Sequence, residues 1–279
     1  MGNSRFIDEI FDTNNCLNYI LSIQCSLNGF SFLIYDPLPE KVISLIEQEL
    51  TLATPFELMN VLLSLFNNEP VLKHQFKRVN VSFLSQRSVL IPQFIEKKDE
   101  WPDLFNLTFG QIRDEQILGN EIAPQSTILL FAVPSSISRC LKNQYANCDF
   151  FAPSFPIINH VFKLKTDQPQ LLVSRFRDLL IICLVHDNKI HFLNHFYVKN
   201  DIDCLYYILS TAQHLNLDNK TELKIFGKID PQSELIGSVR NYFSKIIFAF
   251  TSKDYNMNNI TGNIFEHYHL PLLELALCE

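Results

Sequence analysis

Two short stretches combine the backbone freedom of a turn with side chains able to meet a phosphate or a metal ion. Ser26-Leu27-Asn28-Gly29 separates two apolar runs, and Asn-Gly in that setting signals a hairpin because both residues accept positive φ. It offers one glycine for close backbone approach and no carboxylate. Asp187-Asn188-Lys189 lies between two further apolar runs and is its complement, with a carboxylate and no glycine. An aspartate in a two-residue hairpin serves the turn before it serves a metal. Neither G-x-x-x-x-G-K-[ST] nor G-x-G-x-x-G occurs in the chain.

The other reactive side chains are more scattered. His186, His191 and His195 fall on neighbouring strands, but two histidines four residues apart along a strand are roughly 13 Å apart, too far to share an ion. His267 and His269 flank Tyr268, and all five read as exposed strand histidines. Ser135-Ser136 follows Val133-Pro134 where a strand gives way to a helix; without G-x-S-x-G these serines read as a helix cap. Cysteines at 16, 25, 140, 148, 183, 204 and 278 are odd in number and lack C-x-x-C, so they read as small buried hydrophobes. Lys73, Lys77 and Arg78 form the densest basic run and read as the solvated approach to a strand. No catalytic, cofactor-binding or metal-ligating residue is assigned, and no cofactor.

The elements that position these groups follow from periodicity. The segment from Asp178 to Phe243 is the most legible: a strand Leu179–His186, the turn, one or two strands over 190–199, a helix over about 201–215, a strand over 222–226, Gly227, and a helix after Pro231. Ile202, Leu205, Tyr206, Leu209 and Ala212 recur at helical spacing on the first of these helices, with Asn200 or Asp201 as cap. Tyr206 and Tyr207 must diverge, one toward the core and one toward a cleft or partner.

A weaker copy precedes it. After a polar leader come strands over 17–25 and 30–35, a run over 42–52 whose alternation suits a third strand while Glu47, Gln48 and Glu49 suit a helix and whose place in the repeat favours the strand, and a helix from Pro55 opened by the capping box Thr54-Pro55-Phe56-Glu57. A strand over 79–84 follows, then a short crossing segment over 89–92. No pattern is legible over 96–124. A strand over 127–133, helices over 134–145 and 153–164, and a linker over 166–170 complete this half. Past the second lobe's helices come a strand over 246–250, an asparagine-rich loop over 252–262 and a terminal apolar segment over 270–277.

Composition bounds the function. At 279 residues the chain is long enough for two domains, expected at 1–165 and 166–279, and 47% hydrophobic content with 19% charge argues against disorder. A formal charge of −7 without a lysine or arginine stripe disfavours direct nucleic-acid binding. No apolar run reaches the roughly 18 residues of a membrane helix, and residues 1–12 lack the apolar centre of a secretory signal, so a cytoplasmic protein is expected.

Asn194-x-Phe196, Lys199, Asp203-x-x-Tyr206-Tyr207-Ile208-Leu209, Leu217 and Gly227, with Asn28-Gly29 and Phe131-Ala132-Val133-Pro134 in the first half, resemble a bacterial family known only as a domain of unknown function. The resemblance implies an α/β protein with mixed sheets and duplicated ribonuclease-H-like lobes, the architecture of actin-like ATPases. Such ATPases cradle phosphates in one hairpin turn per lobe, with an aspartate holding Mg²⁺ through water, and bind adenine at a glycine-rich turn. Here Gly237 stands alone. The expectation is a scaffold with a degenerate nucleotide site that binds an unknown protein partner. The alternative is a divergent ATPase or small-molecule kinase that holds ATP-Mg between the lobes through Asp187 and the amides around Asn28-Gly29.

Overall fold

The computed structural model describes residues 4–9, 11–95, 97–111, 113–164, 168–251, 255 and 266–279. In chain order the first half holds β1 (Ser4–Ile7), β2 (Ile20–Ser26), β3 (Gly29–Asp36), β4 (Lys41–Glu49), α1 (Pro55–Asn68), β5 (Arg78–Phe83), β6 (Ser88–Pro92), α2 (Trp101–Phe109), β7 (Glu115–Ile122), β8 (Thr127–Pro134), α3 (Ser135–Gln144), β9 (Cys148–Phe150) and α4 (Phe155–Leu164). The second holds β10 (Gln170–Phe176), β11 (Leu179–His186), β12 (Lys189–Tyr197), α5 (Asp201–His214), β13 (Glu222–Gly227), α6 (Glu234–Val239), β14 (Ile246–Phe248) and α7 (Leu270–Ala276).

The expected duplication is present strand for strand. One sheet runs β4-β3-β2-β5-β9, with β1 added outside β4, and the other runs β12-β11-β10-β13-β14. In both, two hairpins form an antiparallel meander and the later strands return parallel to its first strand. Even the irregularity is copied, since the register slips between Ile34 and Tyr35 in one sheet and between Leu184 and Val185 in the other. A bulge bends a strand and raises its twist, so the two sheets curve at matching places.

Local sequence explains the helices. Thr54 Oγ1 accepts from the Glu57 amide at 3.3 Å while the Glu57 carboxylate accepts from the Ala53 amide at 3.1 Å, a reciprocal cap that starts α1. Asn200 caps α5 through the Asp203 amide at 2.9 Å, and Asp203 returns the favour to the Lys199 amide at 2.8 Å. On α5 the buried stripe is Cys204, Ile208 and Thr211, whereas Ile202 and Tyr206 face solvent, so the expected core stripe is rotated. Tyr207 stacks on Phe196 with ring centroids 4.3 Å apart, leaving Tyr206 as the outward member of the pair. The second-lobe helix after Pro231 begins later than expected, at Glu234, because Ser233 supplies the cap to the Ile236 amide.

Several elements escape the sequence reading. β10 precedes Asp178, so the strand that opens the second lobe is Gln170–Phe176 and not a split of the segment after Asp187. Within the blank over 96–124 lie α2 and β7, and the crossing segment at 89–92 is the strand β6; β6, β8 and β7 form a three-stranded sheet. The polar leader contributes β1. Of the expected linker, residues 166 and 167 lie outside the described residues, as does the asparagine-rich loop apart from Tyr255.

The largest core crosses between the halves. Leu172, Ile181 and Phe226 of the second sheet join Leu21 and Leu33 of the first and Leu129 and Phe131 of the small sheet. The terminal apolar segment, read in sequence at the end of the second lobe, is α7 and packs on β2, β3, β5 and α4. Asn80 Nδ2 donates to the carbonyls of Leu275 at 2.7 Å and Cys278 at 3.0 Å, and Ser22 Oγ donates to that of Leu272 at 2.9 Å. Burying each α7 leucine contributes about 2 kcal/mol. No helix among the described residues is long and apolar enough to cross a membrane.

Candidate functional site

Because β10 is paired with β11 before β12 begins, the turn that corresponds to the one between β2 and β3 is Arg177-Asp178, not Asp187-Asn188-Lys189. Asp187 and Asn188 do form the expected tight hairpin, with φ of 49° and 56°. They sit at the far end of β11, about 25 Å from Arg177-Asp178 at the usual rise per strand residue. Asp187 is exposed and faces His186, 3.5 Å away.

Gly29, in turn, is not at the centre of its hairpin. Ser26 pairs with Gly29, so the loop residues are Leu27 and Asn28, and Gly29 opens β3 at φ 143°. Glycine is required there for space as well as backbone. A Cβ would stand 2.3 Å from the Gln48 carbonyl oxygen and 2.4 Å from Arg177 Cζ.

The two equivalent turns meet, and side chains fill the place between them. Arg177, itself at φ 57°, lays its guanidinium over Gly29 and donates through Nη2 to the Gln48 carbonyl at 2.8 Å. Its Nη1 lies 3.8 Å from Glu49, and burial pulls its pKa down despite the nearby carboxylates. Asn28 Nδ2 donates to Asp178 Oδ2 in a short hydrogen bond. The aspartate at this turn is therefore engaged by an amide of the opposite lobe.

Behind the turns, Glu47 on β4 is buried and Lys228, just past β13, is half-buried beside it. Lys228 Nζ lies 3.0 Å from Glu47 Oε1, and Ser31 Oγ donates to the same carboxylate at 3.0 Å. Burial pushes the Glu47 pKa up, but the surrounding charges and hydrogen bonds bring it below the usual carboxylate range. His269 Nδ1 is 3.7 Å from Glu47, yet burial pulls His269 down to about 4, so it is neutral at pH 7 and Lys228 is the balancing charge. His267 Nε2 bonds the Ile229 carbonyl at 2.9 Å beside them.

His267 and His269 are thus buried at the junction of the lobes, and His195 is buried with Nδ1 2.8 Å from Ser88 Oγ; of the five expected exposed strand histidines, His191 is exposed and His186 half-buried. Ser135 and Ser136 lie inside the first turn of α3, where Pro134 holds the cap position and no side chain caps the helix. Six of the seven cysteines are buried and Cys148 is half-buried, all as free thiols. Among the described residues no three His, Cys, Asp or Glu side chains converge in a metal-ligating group.

Sequence reading missed Arg177, Asp178, Gln48, Glu47 and Lys228. Its available signal was the pair of apolar runs, Gln170–Phe176 and Leu179–His186, that leave only two residues between them. A triphosphate entering between the turns would meet the Arg177 side chain at Gly29 and an aspartate already bonded to Asn28. In this arrangement the residues present do not fit a magnesium nucleotide.

Comparison with known proteins gives a family and a fold. A family model described as "Protein of unknown function (DUF3822)" matches residues 8–246. A crystal structure from Bacteroides thetaiotaomicron VPI-5482, of a protein with an actin-like ATPase fold and unknown function, is 22% identical, covers 97% of this chain and 100% of that one, and superposes with a TM-score of 0.82. The PilM-PilN type IV pilus biogenesis complex contains a chain 10% identical, with 92% and 97% of the two chains covered and a TM-score of 0.64. No curated protein matches the sequence. The fold is that of the actin-like ATPases, mixed α/β with several mixed sheets.

Proposed function

This chain belongs to the DUF3822 family of proteins of unknown function, and on that premise we propose that it is a cytoplasmic protein that works by binding another protein, without catalysis of its own. Its actin-like scaffold keeps both lobes, while the turns that would grip a triphosphate hold each other. The observation that carries this reading is the Arg177 guanidinium seated over Gly29, where a phosphate would need the backbone to itself. Lys228 with Glu47, and Asn28 with Asp178, add cross-lobe contacts of the same kind.

A protein-binding role also has company among its structural neighbours, since PilM is seen in a complex with PilN. Calorimetric titration of the full chain with ATP and ADP, with and without Mg²⁺, tests the proposal. No heat of binding is expected. Dissociation constants in the micromolar range would overturn it, as would turnover that Asp178→Asn abolishes.

A further inference from the structure

Resting on the reading above and naming the surface it would use, we propose that the groove between α1 and α3 is the docking site for an amphipathic helix of a partner protein, apolar on one side and acidic along its flank.

The groove encloses about 730 Å³, within the range of sites that bury ligand side chains. One wall is α1. That helix already buries Leu58, Leu62 and Phe66 inward, which satisfies the single apolar stripe a surface helix needs. It nevertheless carries a second stripe, Phe56, Met59 and Leu63, spaced three and four residues apart and turned into the groove. Phe56 is 62% exposed and Leu63 43% exposed, costly positions for large side chains with nothing over them. From Phe56 to Leu63 the stripe is about 10 Å long, two helical turns, the length over which an opposing helix presents anchors at i, i+3 or i+4, and i+7.

Charge selects the flank. Arg139 on α3 and Arg113 before β7 line the groove, and neither has an ion-pair partner among the described residues. Of the two carboxylates nearby, Glu115 is taken by Arg87, which leaves Asp114 against two arginines. The N-terminus of α3, which has no side-chain cap although the Ser135 amide donates to the Asp114 carbonyl at 2.8 Å, opens onto the same space through Ser136 and adds positive potential. On a chain of net charge −7, this cationic rim around an apolar floor steers an acidic partner to one place.

A display library of short random peptides, selected on the full chain, tests the assignment. Enriched peptides are expected to place apolar residues at helical spacing beside Asp or Glu. Their affinity should fall about tenfold or more in Leu63→Glu and in Arg139→Glu. A peptide with its acidic residue changed to lysine should regain binding to Arg139→Glu. All of these positions are at the surface, so melting temperatures should be unchanged; Phe56→Ser and Arg139→Ala replace either variant that melts early. No enrichment, enrichment of basic peptides, or binding indifferent to these substitutions would overturn the proposal. So would a dimer that sediments as a monomer in Leu63→Glu, which would give the face to a second copy. Nucleotide binding by calorimetry together with groove-directed peptides would remove only the locked-cleft reading.

Discussion

The first lobe's turn and the second lobe's turn occupy the same place in the same strand order, and they differ in what they present. Leu27-Asn28 followed by Gly29 presents an open backbone and one amide side chain; Arg177-Asp178 presents a cation and a carboxylate. In a repeat that grips a common ligand, both turns would be shaped toward the ligand. Here each is shaped toward the other, glycine making room for guanidinium and asparagine answering aspartate. Duplication preserved the backbone, and the chemistry of the interface was settled by a few side chains at its centre.

The largest expected effect tests whether two buried histidines, His269 at the junction behind the turns and His195 on β12 against Ser88, are held neutral. His269 and His195 have folded pKa values near 4 against an ordinary 6.5. The unfolded chain therefore binds more protons between these values, and stability must fall as pH drops from 6.5 to 4, by up to about 3 kcal/mol per histidine. Urea midpoints across that range should show the decline, and His269→Asn should make its slope shallower. Glu47, depressed in the folded state, gives stability present above its unfolded pKa and lost on further acidification.

Next, Lys228→Met should cost about 3 kcal/mol, because it takes an ammonium 3.0 Å away from the buried Glu47 carboxylate. Gly29→Ala should cost about 2–3 kcal/mol through the clash with the Gln48 carbonyl and the strained φ, read from the same denaturation curves. Arg177→Gly sharpens the comparison directly, giving both turns a glycine. It should cost about 1–2 kcal/mol, and if it alone creates ATP binding in a calorimeter, the guanidinium is what excludes the nucleotide. Asp187→Ala should change stability by about 1 kcal/mol or less, since its carboxylate serves an exposed hairpin at the wrong end of β11.

Much of this scaffold could be read from residue patterns, and the misses have physical causes. The capping box at Thr54, the hairpin at Asp187-Asn188 and the strand Leu179–His186 are local signals, complete within a few residues. β10 is buried on both faces, so it has no alternation to mark it, and β7 is half-exposed with Gly119 interrupting its run. On α5 two apolar stripes competed, and only packing against the sheet decides for Cys204 and Ile208. The junction was the least legible region. Asn28 and Asp178 are 150 residues apart, and no spacing rule joins them. The buried histidines fail for the same reason, since their surroundings come from distant strands.

The placement of α7 bears on how the chain comes into being. While the first lobe emerges during synthesis, the face of its sheet that carries Ser22 and Asn80 has no cover, because the carbonyls those side chains bond belong to Leu272, Leu275 and Cys278. Two polar groups and an apolar plane then wait on a segment made 195 to 250 residues later. During synthesis that face stays exposed, with Ser22 and Asn80 lacking their α7 carbonyls, until the C-terminal helix is made.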